Sequence, residues 1–371
     1  SRGTTSGSIT NISVKEIQTD VPRIDFTDDP TGHLLLEPQS TNLVTLSEDL
    51  TGGSLRSAIA TANTIETYDP SGKNNATKFE VTQSEDDSYV RTGYTAAVTD
   101  FSCFIYLKGK KGQKFQFFAA RDNYAELSPG VLGVCTGEWQ KVSFSGTFST
   151  TSSTVIIGLE FGQSTDDSVK GQVYYAWGCQ LEALSYPTSY IPTSGSAVTR
   201  NQELCNNSGT VNDFNSEEGV LYAEIAALAN DGTWRVLGFS DGTTNNRVFI
   251  GYSSFNDIAC RFEISPSVVY NFNFTADITI NSKLALKYKE NDFALWVNGV
   301  EVNSQSSGNT FPIGTLTQMQ FTSATSSSPF YGKTKNLKVF KRALTDAELY
   351  LLTVTQYQSY QEMATALNYT L

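Results

Sequence analysis

Trp177-Gly178-Cys179-Gln180-Leu181-Glu182, running into Tyr186-Pro187-Thr188-Ser189-Tyr190-Ile191-Pro192-Thr193, decides how this chain is divided. Extended upstream, it places Val173, Tyr175, Trp177, Cys179 and Leu181 at every second position, the period that puts side chains on one face of a β-strand. The Pro/Ser/Thr-rich continuation cannot extend a ladder, because proline lacks the N–H donor. The passage therefore reads as the closing strand of one β-domain entering a connector.

Working back from it, the same grammar recurs. Phe101, Cys103, Ile105 and Leu107 alternate in Phe101-Ser102-Cys103-Phe104-Ile105-Tyr106-Leu107, and further strands are expected over 114–119, 139–144 and 154–161. Short, regularly spaced strands with no helical period between them call for a sandwich. Before them, Val21-Pro22-Arg23-Ile24-Asp25-Phe26 reads as an edge-like extended segment and Leu34-Leu35-Leu36 as a short buried strand stopped at Pro38. Working forward, residues 193–217 are too polar for a core. A second strand series then covers 220–225, 235–239, 247–252, 258–264, 282–288 and 335–340. Between its last two members, Asn298-Gly299 sits among β-branched residues as a hairpin turn. Thr345-Asp346-Ala347-Glu348 and Ser359-Tyr360-Gln361-Glu362 each fit a capping box, predicting two short helices.

The fold expected is all-β: two tandem β-sandwich (jelly-roll) domains, with an extended N-terminal segment and short C-terminal helices. The boundaries are 1–45 for the extended N-terminal attachment segment, 46–192 for the first sandwich, 193–217 for the linker, 218–344 for the second sandwich and 345–371 for the helices. At 371 residues each domain is large enough for its own core.

Composition excludes several function classes. The net charge of −12 argues against nucleic acid and anionic membranes, both of which select basic surfaces. A single histidine, His33, rules out any His-pair mechanism within the chain and leaves one possible base for a triad; beside Leu34-Leu35-Leu36 it is expected to be structural. The five cysteines, Cys103, Cys135, Cys179, Cys205 and Cys260, are odd in number and lack CxxC spacing, so buried free thiols are expected rather than disulfides or zinc. No run approaches the length of a membrane span. The chain opens Ser1-Arg2-Gly3 without Met, as a fragment or processed product would.

Two resemblances follow from these residues. Trp177 to Thr193, the strand Gly137-Glu138-Trp139-Gln140-Lys141-Val142 and the lead-in His33 to Leu43 resemble carbohydrate-binding-module-like domains of tailed-phage fibre and structural proteins. The second half resembles laminin-G or concanavalin-A-like lectin and glucanase sandwiches. It carries Leu284-Ala285-Leu286-Lys287-Tyr288, then Leu295-Trp296-Val297-Asn298-Gly299-Val300, then Leu337 to Leu349 in that family's order. What the resemblance implies is a non-enzymatic virion structural or adhesion protein, a phage fibre, spike or capsid-decoration component. Its partners would be a host cell-surface glycan and other virion proteins, it would be a homo-oligomer with a trimer expected, and its location would be the virion or the extracellular space. The alternatives are a purely structural spacer or docking protein, or binding modules of a secreted bacterial glycan-active protein.

The chemistry agrees with a binding role. A glycosidase needs two carboxylates across the scissile bond; no E-x-D-x-E array occurs, and Glu301 stands alone. No cofactor is expected. For calcium, the position where related modules carry a ligating Asp is Trp177-Gly178, leaving only the acidic turns Glu85-Asp86-Asp87 and Asp166-Asp167. Sugars are recognised by aromatic faces flanked by orienting polar groups. The candidates are Tyr89, Arg91 and Tyr94, with Arg121, Asp122, Asn123 and Tyr124, in the first domain. In the second they are Trp234, Arg235, Asn246, Arg247 and Tyr252. Trp139 and Trp177 are expected in the core.

Overall fold

The computed structural model describes residues 22–27, 29–83, 88–162, 169–265, 267–325 and 327–354. They form two antiparallel sandwiches and one short helix, the all-β tandem architecture expected. The second capping box, both acidic turns and the Ser/Gly/Thr stretch at the start lie outside the described residues.

In the first sandwich one sheet runs, in spatial order, Glu126–Val134, Lys114–Arg121, Thr154–Phe161, Tyr89–Thr95 and Ser54–Arg56. The facing sheet runs Gln140–Thr147, Asp100–Gly109, Val173–Glu182, Thr77–Val81 and Ala58–Thr61. Phe101, Cys103, Ile105 and Leu107 fill the space between them, as their alternation requires, against Phe115, Phe117, Val155, Ile157 and Leu159.

The closing strand departs from simple alternation. Its register against Asp100–Gly109 shifts between Trp177 and Gln180, with Gly178 at φ 64°. An extra residue in one strand flips every later side chain to the other face. Tyr174 and Ala176 thus point into the core before the bulge, and Cys179 and Leu181 after it. Trp177 is buried as expected, but on the outer face, with ring centroids 5.5 Å from Tyr106 and 4.7 Å from Tyr190. The five residues expected on one face are divided between two. Trp139 is half-buried, ahead of its strand, with Nε1 donating to Tyr68 O at 2.7 Å.

The second sandwich packs a five-stranded sheet, Ser267–Thr275, Asp257–Ile264, Asn246–Tyr252, Arg235–Ser240 and Gln318–Gln320, on a seven-stranded one. The larger sheet starts with strands from the N-terminal segment, Arg23–Asp25 and His33–Leu36. It continues through Gly332–Phe340, Glu218–Ala227, Ser282–Lys289, Phe293–Val297 and Val300–Gln305. Asn298 and Gly299 take φ 49° and 86°, the left-handed pair a tight two-residue hairpin needs. Thr345 closes its capping box on Glu348 and starts the helix Asp346–Thr353, whose Leu349 packs with Leu344 on Val220, Tyr222 and Trp296.

The modules are joined by two crossings of the chain. Leu36 enters the second core through the pairing of His33–Leu36 with Gly332–Phe340, while Val44 enters the first. Between them Asn42 donates to the carbonyls of Cys179 and Ile191 and accepts from Val44 and Leu181 N–H. The connector is pinned along its length: Val198–Arg200 pairs with Ser40–Asn42, and Phe214 lies in the second core. At the centre sits Glu37, 4% exposed, which receives Arg23, Arg200 and the Ser189 N–H. Glu203 is also buried: it takes Arg23 and the Glu37 N–H, and burial pushes its carboxyl above the ordinary range.

All five cysteines are free thiols, with Cys205 half-buried and the rest buried. Burial pushes Cys179 and Cys260 up to about 12, which leaves these thiols unreactive at neutral pH. His33 is buried, its Nε2 lying 3.3 Å from Asp25 Oδ2 but off the axis of a hydrogen bond. Among the described residues no helix is long and apolar enough to cross a membrane.

Candidate functional site

The outer face of the five-stranded sheet in the first sandwich carries the candidate site. Val90, Phe117, Ile157 and Leu159 point inward, so by the period of two their neighbours Tyr89, Arg91, Gln116, Phe118, Gly158 and Glu160 point outward. Ladder register sets these side chains in rows across the sheet. One row is Arg56, Tyr89, Glu160, Gln116 and Leu132; the next is Ser54, Arg91, Gly158 and Phe118; a third is Gly93, Ile156, Ala120 and Leu127.

A groove of about 340 Å³ lies on these rows, lined by Arg56, Tyr89, Arg91, Gln116, Phe118, Tyr124, Leu127 and Glu160. Gly158 makes its floor possible: a Cβ there would stand 2.1 Å from Phe118 Cζ, so only glycine lets that ring lie on the sheet. The Tyr124 ring follows at 6.3 Å from Phe118. The Arg91 guanidinium is held between two tyrosines, 4.6 Å from the Tyr89 ring and 5.2 Å from that of Tyr124, and donates to Tyr124 Oη at 2.8 Å. Cation–π contact of this kind fixes a guanidinium without removing its charge.

Tyr124 reaches the groove because the hairpin before it is locked. Asp122, Asn123 and Tyr124 take successive left-handed φ values of 48°, 56° and 67°. Asp122 Oδ1 accepts from Ser153 N at 2.7 Å and Thr154 N at 3.0 Å, and these N–H groups hold its carboxyl below the ordinary range. Arg121 bridges Asp122 and Glu126, and Glu126 accepts from Ser149. Arg121 and Asp122 thus brace the hairpin and do not line the groove.

Of the residues singled out in sequence, the fold brings Tyr89, Arg91 and Tyr124 together. Tyr94 falls on the inner face, packed against the core, and burial pushes its hydroxyl above the ordinary range. The second-domain candidates do not converge. Tyr252, expected as a ligand platform, is 0% exposed, so its ring is core packing. Arg235 is equally buried and forked onto Asp231 at 2.6 Å. Arg247 pairs with Glu263 at 2.8 Å, and Asn246 donates to Asp241. Arg247 lies five positions from Tyr252 on one strand, roughly 17 Å away. Trp234, 37% exposed, stands at the Tyr252 end, since Arg235 pairs with Tyr252.

Sequence reasoning missed Arg56, Gln116, Phe118, Leu127 and Glu160. Phe118 was within reach, because Phe115 and Phe117 are core and its odd spacing sends it to the other face. Among the described residues the groove holds a single carboxylate, Glu160, and no three metal-ligating side chains cluster.

No curated protein matches the chain. Among solved structures it is similar to the Ruminococcus gnavus IT-sialidase CBM40, at 15% identity and TM-score 0.34, covering 40% of this chain and 93% of that one. It is similar to domain 4 of AbnA, an extracellular arabinanase from Geobacillus stearothermophilus, at 14% identity and TM-score 0.33 over 46% and 80% of the two chains. Mouse laminin alpha1 chain domains LG4-5 are similar at 10% identity and TM-score 0.28 over 77% and 96%. Residues 209–350, which form most of the second sandwich, match a laminin G family model of the concanavalin A-like lectin/glucanases superfamily.

Proposed function

We propose that the chain is a non-catalytic glycan-binding protein whose first sandwich holds a sugar in the groove above Phe118. The observation that carries this reading is the Arg91 guanidinium clamped between Tyr89 and Tyr124 in an open groove. Aromatic faces cover the apolar side of a pyranose, while Arg91, Gln116 and Glu160 offer both donors and acceptors to its hydroxyls. A single carboxylate among the described lining residues suits recognition better than hydrolysis, which needs two. The match of residues 209–350 to the lectin/glucanase superfamily supports the same direction for the second sandwich.

The decisive experiment is a glycan array with the whole chain, followed by titration of the best sugar against Tyr124→Ala and Tyr89→Ala. Loss of a central aromatic contact weakens binding by about thirty-fold or more. Unchanged affinity in both folded variants refutes the groove as the site. The setting we propose is extracellular, as an adhesion module of a homo-oligomeric virion fibre or spike; binding modules of a secreted glycan-active protein would present the same groove. Saturable binding to intact host cells by an oligomeric chain supports the first setting. Binding by a monomer to isolated polysaccharide alone supports the second.

A further inference from the structure

The groove is polar at one end and apolar at the other, and the division follows the rows of the sheet. Within the groove the row through Tyr89 carries Arg56, Glu160 and Gln116, all with hydrogen-bonding ends, and Leu132 continues it beyond the lining. Two residues further along each strand, the Arg91 row ends on the Phe118 ring. Two further again, the row is Gly93, Ile156, Ala120 and Leu127, with no polar side chain in it. Leu127 is 53% exposed on the open surface and forms the wall of the groove beside Tyr124 and Phe118.

We infer that the glycan recognised here carries a methyl-terminated substituent, the C-methyl of a deoxyhexose or the methyl of an acetyl group, seated against Leu127, Phe118 and Tyr124. This rests on the groove being a glycan site. A hydroxyl set against Leu127 and the Phe118 ring gives up water and finds no partner on either side chain, which costs about ten-fold in affinity. A methyl there gains about four-fold per carbon removed from water. The hydroxyls of the same ring then face Arg91, Gln116 and Glu160. A hydrophobic end of this kind discriminates by tens rather than thousands, since apolar pockets reject an added hydroxyl only moderately.

The test uses the full chain and matched probes: L-rhamnose against L-mannose, L-fucose against L-galactose, and N-acetylglucosamine against N-formylglucosamine, each as the free sugar in calorimetric titration. The expected result is at least ten-fold tighter binding of one methyl-bearing member over its parent. Leu127→Ser should erase that preference by weakening the methyl-bearing sugar more than its parent, with the melting temperature unchanged, and the pair that discriminates identifies the source of the methyl. If sugars bind and Tyr124→Ala abolishes binding, yet no pair discriminates, the methyl inference falls and the groove reading stands. If no probe and no array glycan responds to Tyr124→Ala, both fall. Sedimentation showing reversible self-association that Leu127→Ser abolishes would also overturn the inference, because the apolar end would then be a contact between copies.

Discussion

Replacing Glu37 by alanine should unlock the two sandwiches. The carboxylate is 4% exposed and is held by two guanidiniums and the Ser189 N–H at 2.9 Å. Removing one partner of a buried ion pair costs about 3–5 kcal/mol, because the charge left behind stays desolvated. The Arg200 side chain is 10% exposed and remains buried in the variant, whereas that of Arg23 is 35% exposed and keeps its pairing with Glu203. That difference sets the expectation at the lower end, about 3 kcal/mol. Glu37→Gln keeps an acceptor for Ser189 but loses the charge, so its cost should lie between wild type and alanine. The assay is urea denaturation followed by tryptophan fluorescence, with calorimetry on the same samples. Wild type should unfold in one transition, and Glu37→Ala in two, because Trp139 and Trp177 belong to the first sandwich and Trp234 and Trp296 to the second. A loss under about 1 kcal/mol, the size of a solvated surface pair, with a single transition retained, would refute the junction as a buried clamp.

Gly158→Ala should drive Phe118 off the sheet and carry Tyr124 with it, lowering stability by about 1–3 kcal/mol and glycan affinity by at least ten-fold in titration. The Asp231–Arg235 pair should give the second sandwich an acid limb. Burial pushes the Asp231 carboxyl up, but hydrogen bonds and charge from Arg235 win and hold it below the ordinary range. A depressed carboxylate contributes stability that is present above its unfolded value, about 3.9, and is lost as pH falls through the folded one. Denaturation midpoints between pH 5 and 2.5 should therefore fall less steeply in Asp231→Asn than in wild type. Leu349→Ala, at a side chain 0% exposed under the helix, should cost about 2–5 kcal/mol and make the helix residues exchange their amide hydrogens faster.

Much of the fold was legible because its signals are local. Alternation in Phe101 to Leu107, the Asn298-Gly299 turn and the Thr345 capping box each depend on a few adjacent residues, and each formed as read. The candidate site was legible only in part. Tyr89, Arg91 and Tyr124 could be nominated by type, but Tyr94 and Tyr252 share that type and are sent inward by their place in the alternation and by burial.

The sequence by itself determined that this is a β-rich tandem with unpaired thiols and a single histidine, since strand period, turn chemistry and composition are properties of short stretches. Three things were decided only by the tertiary structure. The Gly178 bulge turned Cys179 and Leu181 into the core and left Trp177 on the outer face. The strand His33–Leu36 joined its sheet by pairing with Gly332–Phe340, about three hundred positions away. The groove drew its lining from five strands. Each depends on which backbone pairs with which, at what register, and that is fixed by the joint burial of distant side chains.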